Sequence, residues 1–258
     1  YQDVDIPEVQ PEQIKVKMKR IGICGSDIHV NHGKHPYTNY PVVQGHEVSA
    51  EVAEVGNKVT NCRVGDKVTI QPQVVCGKCY PCTHGMYNGM ASEYFVVDAK
   101  KALVLPKDMS WDHGAMIEPL AVAVHAVRRY SGDMHGKKAV VLGGGPIGNL
   151  VAQTAKALGA EVVLLSELSA YRLATAQKCG ITTVNPNERN LLDAIVEACG
   201  KDRADVIFEC IGINPTMKQA IEYARKGSHI IVVGVFGDLA TVDMAAVQDH
   251  ELSLLGSA

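Results

Sequence analysis

Lys138-Ala139-Val140-Val141-Leu142-Gly143-Gly144-Gly145-Pro146-Ile147-Gly148 is the stretch on which the fold turns. The apolar run up to Leu142 reads as a buried strand. It enters G-x-G-x-x-G, and Asn149 to Leu158 then carries helical spacing. A strand before and a helix after form the context in which this glycine pattern binds a dinucleotide. In that role Gly143 turns the chain, Gly145 lets backbone approach a pyrophosphate, and Gly148 lets helix pack on strand. Pro146 and Ile147, inside the fingerprint, are counted with the glycines as cofactor contacts, and the N-terminus of the following helix supplies N–H groups and positive potential that suit phosphate.

Downstream, Glu161 to Ser166 reads as a second strand ending at Glu167, about twenty residues past the last fingerprint glycine. An acid there accepts ribose hydroxyls and repels a 2′-phosphate, which favours NAD over NADP. Arg172 follows in the next helix and is grouped with it as a cofactor contact. Strands at 182–185, 204–209, 228–233 and 251–255 alternate with helices at 169–179, 188–199 and 215–226. That alternation predicts a doubly wound parallel α/β sheet. Gly212 and Val233 stand at strand C-terminal ends, where such sheets bind ligands, although ordinary glycine turns account for the pattern equally well.

Upstream the texture changes to short strands and glycine turns with little amphipathic helix, as in a small β-barrel. Residues 13 to 23 form a period-two strand leading into Cys24-Gly25-Ser26-Asp27-Ile28-His29, where Gly25 breaks the strand and a short helix begins. Gly45-His46-Glu47 follows. Taken singly, Cys24 reads as a small buried hydrophobe and His46-Glu47 as ordinary polar residues. Together they offer thiolate, imidazole and carboxylate, a set suited to zinc with an open position. Glu118 sits in apolar Met116-Ile117-Glu118-Pro119-Leu120 and needs a cation or strong donors, unless it is simply a helix-start acid before Pro119. Cys76, Cys79 and Cys82, spaced by threes, suit a knuckle round a structural zinc whose fourth ligand is not visible.

The 258 residues carry net charge −3, with 47% hydrophobic and 21% charged residues, as expected of a globular chain large enough for one or two cores. The basic run from Lys15 to Arg20 alternates with apolar residues and reads as the wet face of a strand, so no nucleic-acid partner is expected. No apolar run reaches the ~18 residues of a membrane span. C-x-x-C spacing without a secretory signal favours metal over disulfides and predicts a reduced, cytoplasmic protein.

In this order the motifs Gly22 to His29, Gly45-His46-Glu47, Val64 to Val68, the knuckle from Cys76, Ala91-Ser92-Glu93-Tyr94, Ile117 to Leu120 and the Gly143 fingerprint resemble the zinc-dependent medium-chain alcohol dehydrogenases. The resemblance is to their sorbitol (L-iditol), threonine and butanediol branch, because the ethanol-type branch usually has Cys where Glu118 stands. It implies a GroES-like β-barrel catalytic domain over 1–122 and a Rossmann NAD-binding domain over 123–258. It also implies a catalytic zinc held by Cys24, His46 and one acid, Glu47 or Glu118. The family has a fourth knuckle cysteine, a loop before Ala91 and a segment beyond Gly256. Their lack predicts residues absent between Asn88 and Gly89 and after Ala258, with the structural zinc site incomplete or empty.

The implied reaction is oxidation of a secondary alcohol, a polyol such as sorbitol or L-iditol, to a ketone, with zinc lowering the hydroxyl pKa and hydride passing to NAD. Ser26 accepts the proton and His29 relays it, or a zinc-bound water held by Glu118 takes that part. The same chemistry on L-threonine, 2,3-butanediol or a sugar acid is the alternative, and a glucose- or formaldehyde-type enzyme a further one. From another class comes a non-catalytic dinucleotide-binding structural or sensor protein. A homodimer or homotetramer acting on a small alcohol is expected.

Overall fold

The computed structural model describes residues 3–33, 42–72 and 90–257. Two compact units emerge, Tyr1–Glu118 and Pro119–Ala258.

In the first unit β1 (Gln13–Ile21) alternates as its sequence does, with Ile14 and Val16 fully buried. On its other face Lys15 meets Glu54 at 2.6 Å and Lys19 meets Glu51 at 2.9 Å. The basic run is thus balanced by acids of the neighbouring strand. After α1 (Gly25–Asn31) come β2 (Val48–Val55), β3 (Lys67–Ile70), β4 (Tyr94–Asp98) and β5 (Ala102–Val104), in an antiparallel sheet of order β4-β1-β2-β3-β5. Val48, Ala50 and Val52 of β2 join Ile14, Val16, Val68 and Ile70 in one core. Buried Ser49 is satisfied by donating to the Trp111 carbonyl (2.6 Å) at the start of α2 (Trp111–Ala115). The unit closes in the first turn of α3 (Ile117–Arg128), where Glu118 precedes Pro119. The helix-start reading of Glu118 is therefore met.

The second unit alternates as its sequence predicts: β6 (Lys138–Leu142), α4 (Pro146–Ala157), β7 (Val162–Ser166), α5 (Ala170–Lys178), β8 (Thr182–Val184), α6 (Leu191–Cys199), β9 (Val206–Glu209), α7 (Asn214–Tyr223) and β10 (His229–Val232). An unforeseen short helix, α8 (Met244–Asp249), precedes β11 (Ser253–Gly256); the Asp243 carboxylate starts it by accepting the Ala245 and Ala246 N–H groups at 3.0 and 3.1 Å. All pairings are parallel, in the order β11-β10-β9-β6-β7-β8. This is the doubly wound order in which the chain reverses direction beside β6.

Alternation along β6 shows why both sheet faces are covered. Ala139 and Val141 pack with Ala126 of α3 and Val151, Ala152 and Ala155 of α4. Val140 and Leu142 pack with Ile195 of α6 and Met217 and Ile221 of α7. A strand buried on two sides must be apolar at every position, as this run is. The described cysteines, Cys24, Cys62, Cys179, Cys199 and Cys210, are all free thiols. Burial pushes the Cys199 thiol up to about 11 and raises Cys210 as well, so neither is poised as a nucleophile. Cys76, Cys79 and Cys82 lie outside the described residues. Among the described residues no helix is long and apolar enough to cross a membrane.

Candidate functional site

Where β1 ends, the chain is stitched to the segment before β2. The Gly22 N–H donates to the Glu47 carbonyl at 2.7 Å. A Cβ on Gly22 would stand 2.0 Å from Glu47 Oε2, so only glycine lets that carboxylate lie across the strand exit. Gly45 has φ +89°, and a Cβ there would meet Ile21 Cδ1 at 2.4 Å. Behind it, Met90 and Ala91 N–H groups donate to the Gly45 and Gln44 carbonyls at 2.6 and 2.7 Å.

Asp27, in the first turn of α1, joins both loops. Its Oδ2 accepts the Cys24 N–H at 2.9 Å, its Oδ1 accepts the Gly45 N–H at 3.2 Å, and Oδ1 also lies 3.7 Å from His46 Nδ1. Sequence reasoning passed over this residue. The signal was present, because an acid three residues after a helix N-cap is the spacing of a capping box.

The result is that one ligand atom each from Cys24, His46 and Glu47 lies within 4.8 Å of the others. Their electrostatics describe a site built for a cation. Hydrogen bonding to Cys24, against the opposing effect of burial and with the nearby Cys24, Glu118 and Asp27, raises His46 to about 9. Burial lifts Glu47 above the usual carboxylate range, although the charge of His46 opposes it. Burial lifts Glu118 likewise; His46 again opposes, and Glu47 and Asp27 add to the rise. Soft sulfur with nitrogen and one carboxylate oxygen fits zinc. Glu118 influences His46 and Glu47 electrostatically but is not one of the three clustered ligands.

Ser26 and His29 are three apart on α1, hence neighbours on one helix face, and both are half-buried.

The dinucleotide fingerprint also takes the shape that its glycines predict. Gly143 has φ +99°. Gly145 caps α4 with open space where a side chain would stand, and Pro146 occupies the first turn. A Cβ on Gly148 would lie 1.9 Å from the Gly143 carbonyl oxygen, so helix and turn touch there. An uncovered backbone at a helix N-terminus fits a pyrophosphate. Glu167 Oε2 accepts the Gly144 N–H at 2.9 Å, and Oε1 accepts those of Leu168 and Ser169 at 2.7 and 2.9 Å. Arg172 reaches the same carboxylate at 3.4 Å. Burial works to raise Glu167, but these backbone donors and Arg172 outweigh it and hold the group below the usual range, ionised. Gly212 stands after β9 with φ +83°, and Val233 follows β10.

Two family models match the chain: the alcohol dehydrogenase GroES-like domain over residues 10–107 and the zinc-binding dehydrogenase over 146–258. The chain is 35% identical to 2-dehydro-3-deoxy-L-galactonate 5-dehydrogenase of Pseudoalteromonas atlantica, over 96% of this chain and 76% of that one. It is 33% identical to L-threonine 3-dehydrogenase of Thermococcus kodakarensis, over 93% and 73%. Among solved structures, a protein of Sinorhizobium meliloti described as a zinc-binding dehydrogenase and bound to NADP superposes with a TM-score of 0.91. That pair shares 33% identity and covers 99% and 80% of the two chains.

Proposed function

The chain belongs to the zinc-binding alcohol dehydrogenases of the medium-chain family, and from that premise we propose that it oxidises a secondary hydroxyl of a polyol or sugar acid to a ketone with NAD. The observation that carries the proposal is the convergence of Cys24, His46 and Glu47 ligand atoms within 4.8 Å. It favours Glu47 as the third zinc ligand and leaves Glu118 beside the site. Zinc held there would supply Lewis-acid polarisation of the substrate hydroxyl. NAD would supply the hydride-accepting ring.

The chain's own residues do the rest. Ser26 accepts the hydroxyl proton, and His29, on the same face of α1, passes it to solvent. Asp27 holds the backbones of Cys24 and Gly45 in place. Glu167 disfavours a 2′-phosphate because its carboxylate is ionised, and its contact with half-exposed Arg172 is the one that a ribose hydroxyl joins or replaces. The names of the two relatives, a sugar-acid 5-dehydrogenase and a threonine 3-dehydrogenase, support a polar substrate rather than a simple primary alcohol. L-Threonine is the second reading.

Zinc analysis with NADH formation across polyols, sugar acids, butanediol and threonine tests the assignment. Turnover confined to primary alcohols, or no zinc in active protein, rejects it. Ser26→Ala should lower turnover at least about tenfold with zinc content unchanged; an unaltered rate removes Ser26 from the relay.

A further inference from the structure

Glu209 ends β9 with no exposure at all, and the reaction as described gives it no part. Its carboxylate is fully engaged. Oε1 accepts the Ile211 N–H at 3.0 Å, the Gly212 N–H at 2.9 Å and the Thr216 hydroxyl at 2.7 Å. Oε2 shares the Gly212 N–H at 3.2 Å. The main-chain carbonyl of the same residue accepts the Val233 and Gly234 N–H groups at 2.8 and 2.9 Å. One residue therefore fixes the turns that leave β9 and β10, both at the sheet's C-terminal edge.

The two turns are packed against each other by glycine. A Cβ on Gly212 would stand 2.4 Å from the Val235 carbonyl oxygen, and one on Gly234 would stand 2.7 Å from Glu209 Oε2. Ile211, whose N–H the carboxylate holds, also reaches the fingerprint: a Cβ on Gly143 would meet its Cγ1 at 2.5 Å. Around these turns Ile211, Ile213 and Val235 remain 43%, 46% and 61% exposed. Apolar side chains gathered at the ligand edge of such a sheet suit a flat ring laid over them. β9 to β11 form the second mononucleotide half of the doubly wound sheet, while Glu167 and Arg172 belong to the first.

We propose that Glu209 is a positioning residue for the dinucleotide: its buried carboxylate shapes the Ile211–Gly212 and Val233–Gly234 turns to receive the nicotinamide half. The proposal rests on the NAD-linked reading above. The carboxylate offers two acceptor atoms here, Oε1 to all three donors and Oε2 to the Gly212 N–H a second time. In either orientation an amide sets an N–H₂ group against the Gly212 N–H, and in one of them against the Ile211 N–H and the Thr216 hydroxyl as well.

The test compares binding of NAD and of AMP to the full chain, by calorimetry, for wild type and Glu209→Gln. AMP carries only the adenosine half. The NAD affinity of the variant should fall about tenfold or more, and its AMP affinity less than twofold. Equal losses for both ligands, or no loss for NAD, overturn the inference. Should Glu209→Gln fail to fold, Thr216→Val removes one donor and is read on the same ratio, with the same two outcomes deciding. Wild-type protein that binds neither ligand would instead count against the NAD-linked reading itself, so the two failures are distinguishable.

Discussion

Asp27 accepts N–H groups from both loops that carry ligand atoms, Cys24 at 2.9 Å and Gly45 at 3.2 Å, and stands 3.7 Å from His46 Nδ1. Outer-shell carboxylates of this kind fix where ligands point, and losing one typically weakens metal binding 10- to 100-fold, as an order of magnitude. Asparagine keeps the shape but accepts only through its carbonyl oxygen, so one of the two N–H groups loses its partner. Asp27→Asn should therefore lower zinc affinity by about tenfold or more, measured by competition with a chromophoric chelator. An affinity within twofold of wild type would mean that the loops hold their geometry without it. Gly22 makes a related point. In sequence it fell within the strand read over residues 13 to 23, and its lack of a side chain is what admits the Glu47 carboxylate, which a Cβ would approach to 2.0 Å.

At the scale of elements, the β6–α4 junction separates two glycine roles that one motif merges. Gly145 has φ −63°, available to any residue, and faces open space. Gly148 faces the Gly143 carbonyl oxygen, which a Cβ would approach to 1.9 Å. Gly145→Ala should keep the thermal midpoint of the free protein yet weaken NAD binding, because the new methyl occupies the approach to the helix N-terminus. Gly148→Ala should lose stability first, by about 1–3 kcal/mol, since backbone must move to make room. Thermal melts with and without NAD check both. A Gly145→Ala protein that melts as wild type and binds NAD as tightly would place the pyrophosphate elsewhere. These roles could be read in advance because strand, glycine pattern and helix follow one another within a single stretch.

The two units of the molecule were unequally legible, and the reason is distance along the chain. Nearly every strand of the second unit could be read from a short apolar run, because burial on both faces leaves a continuous signal. Among its helices α8 was missed, since its start depends on Asp243 accepting two backbone N–H groups rather than on periodicity, and α3 was read only as a helix start at Glu118. In the first unit the candidate ligand residues Cys24, His46 and Glu47 were visible as types, but the bonds that gather them were not. Gly22 to Glu47 and Asp27 to Gly45 join residues too far apart for spacing to show. Buried Glu209 is a different case: its carboxylate bonds only to Ile211, Gly212 and Thr216, close by in the chain, and an acid ending the apolar run Val206-Ile207-Phe208 was as legible as Glu118.

Asp205 gives the same lesson a pH-dependent form at the opposite edge of the sheet. Its Oδ2 accepts the Lys138 N–H at 2.8 Å, Arg225 pairs with Oδ1, and its main chain bonds the Lys138 carbonyl and the His229 N–H, so it ties together the starts of β6, β9 and β10. Burial works to raise this carboxyl, but the Lys138 N–H and the Arg225 guanidinium prevail and hold it below its ordinary 3.8. The contribution of the charge is therefore complete above that value and is lost as pH falls through the lower folded-state pKa. Asp205→Asn should cost about 1 kcal/mol at neutral pH, seen as a lower urea midpoint by far-UV circular dichroism. The gap between variant and wild type should hold steady from pH 7 to about 5 and narrow below about 4, where the unfolded wild-type chain begins to take up a proton that the folded carboxylate still refuses. A gap that stays constant down to pH 3 would trace the cost to altered packing and not to the carboxylate. In that case the anchor would be the backbone bonds of Asp205, which asparagine retains.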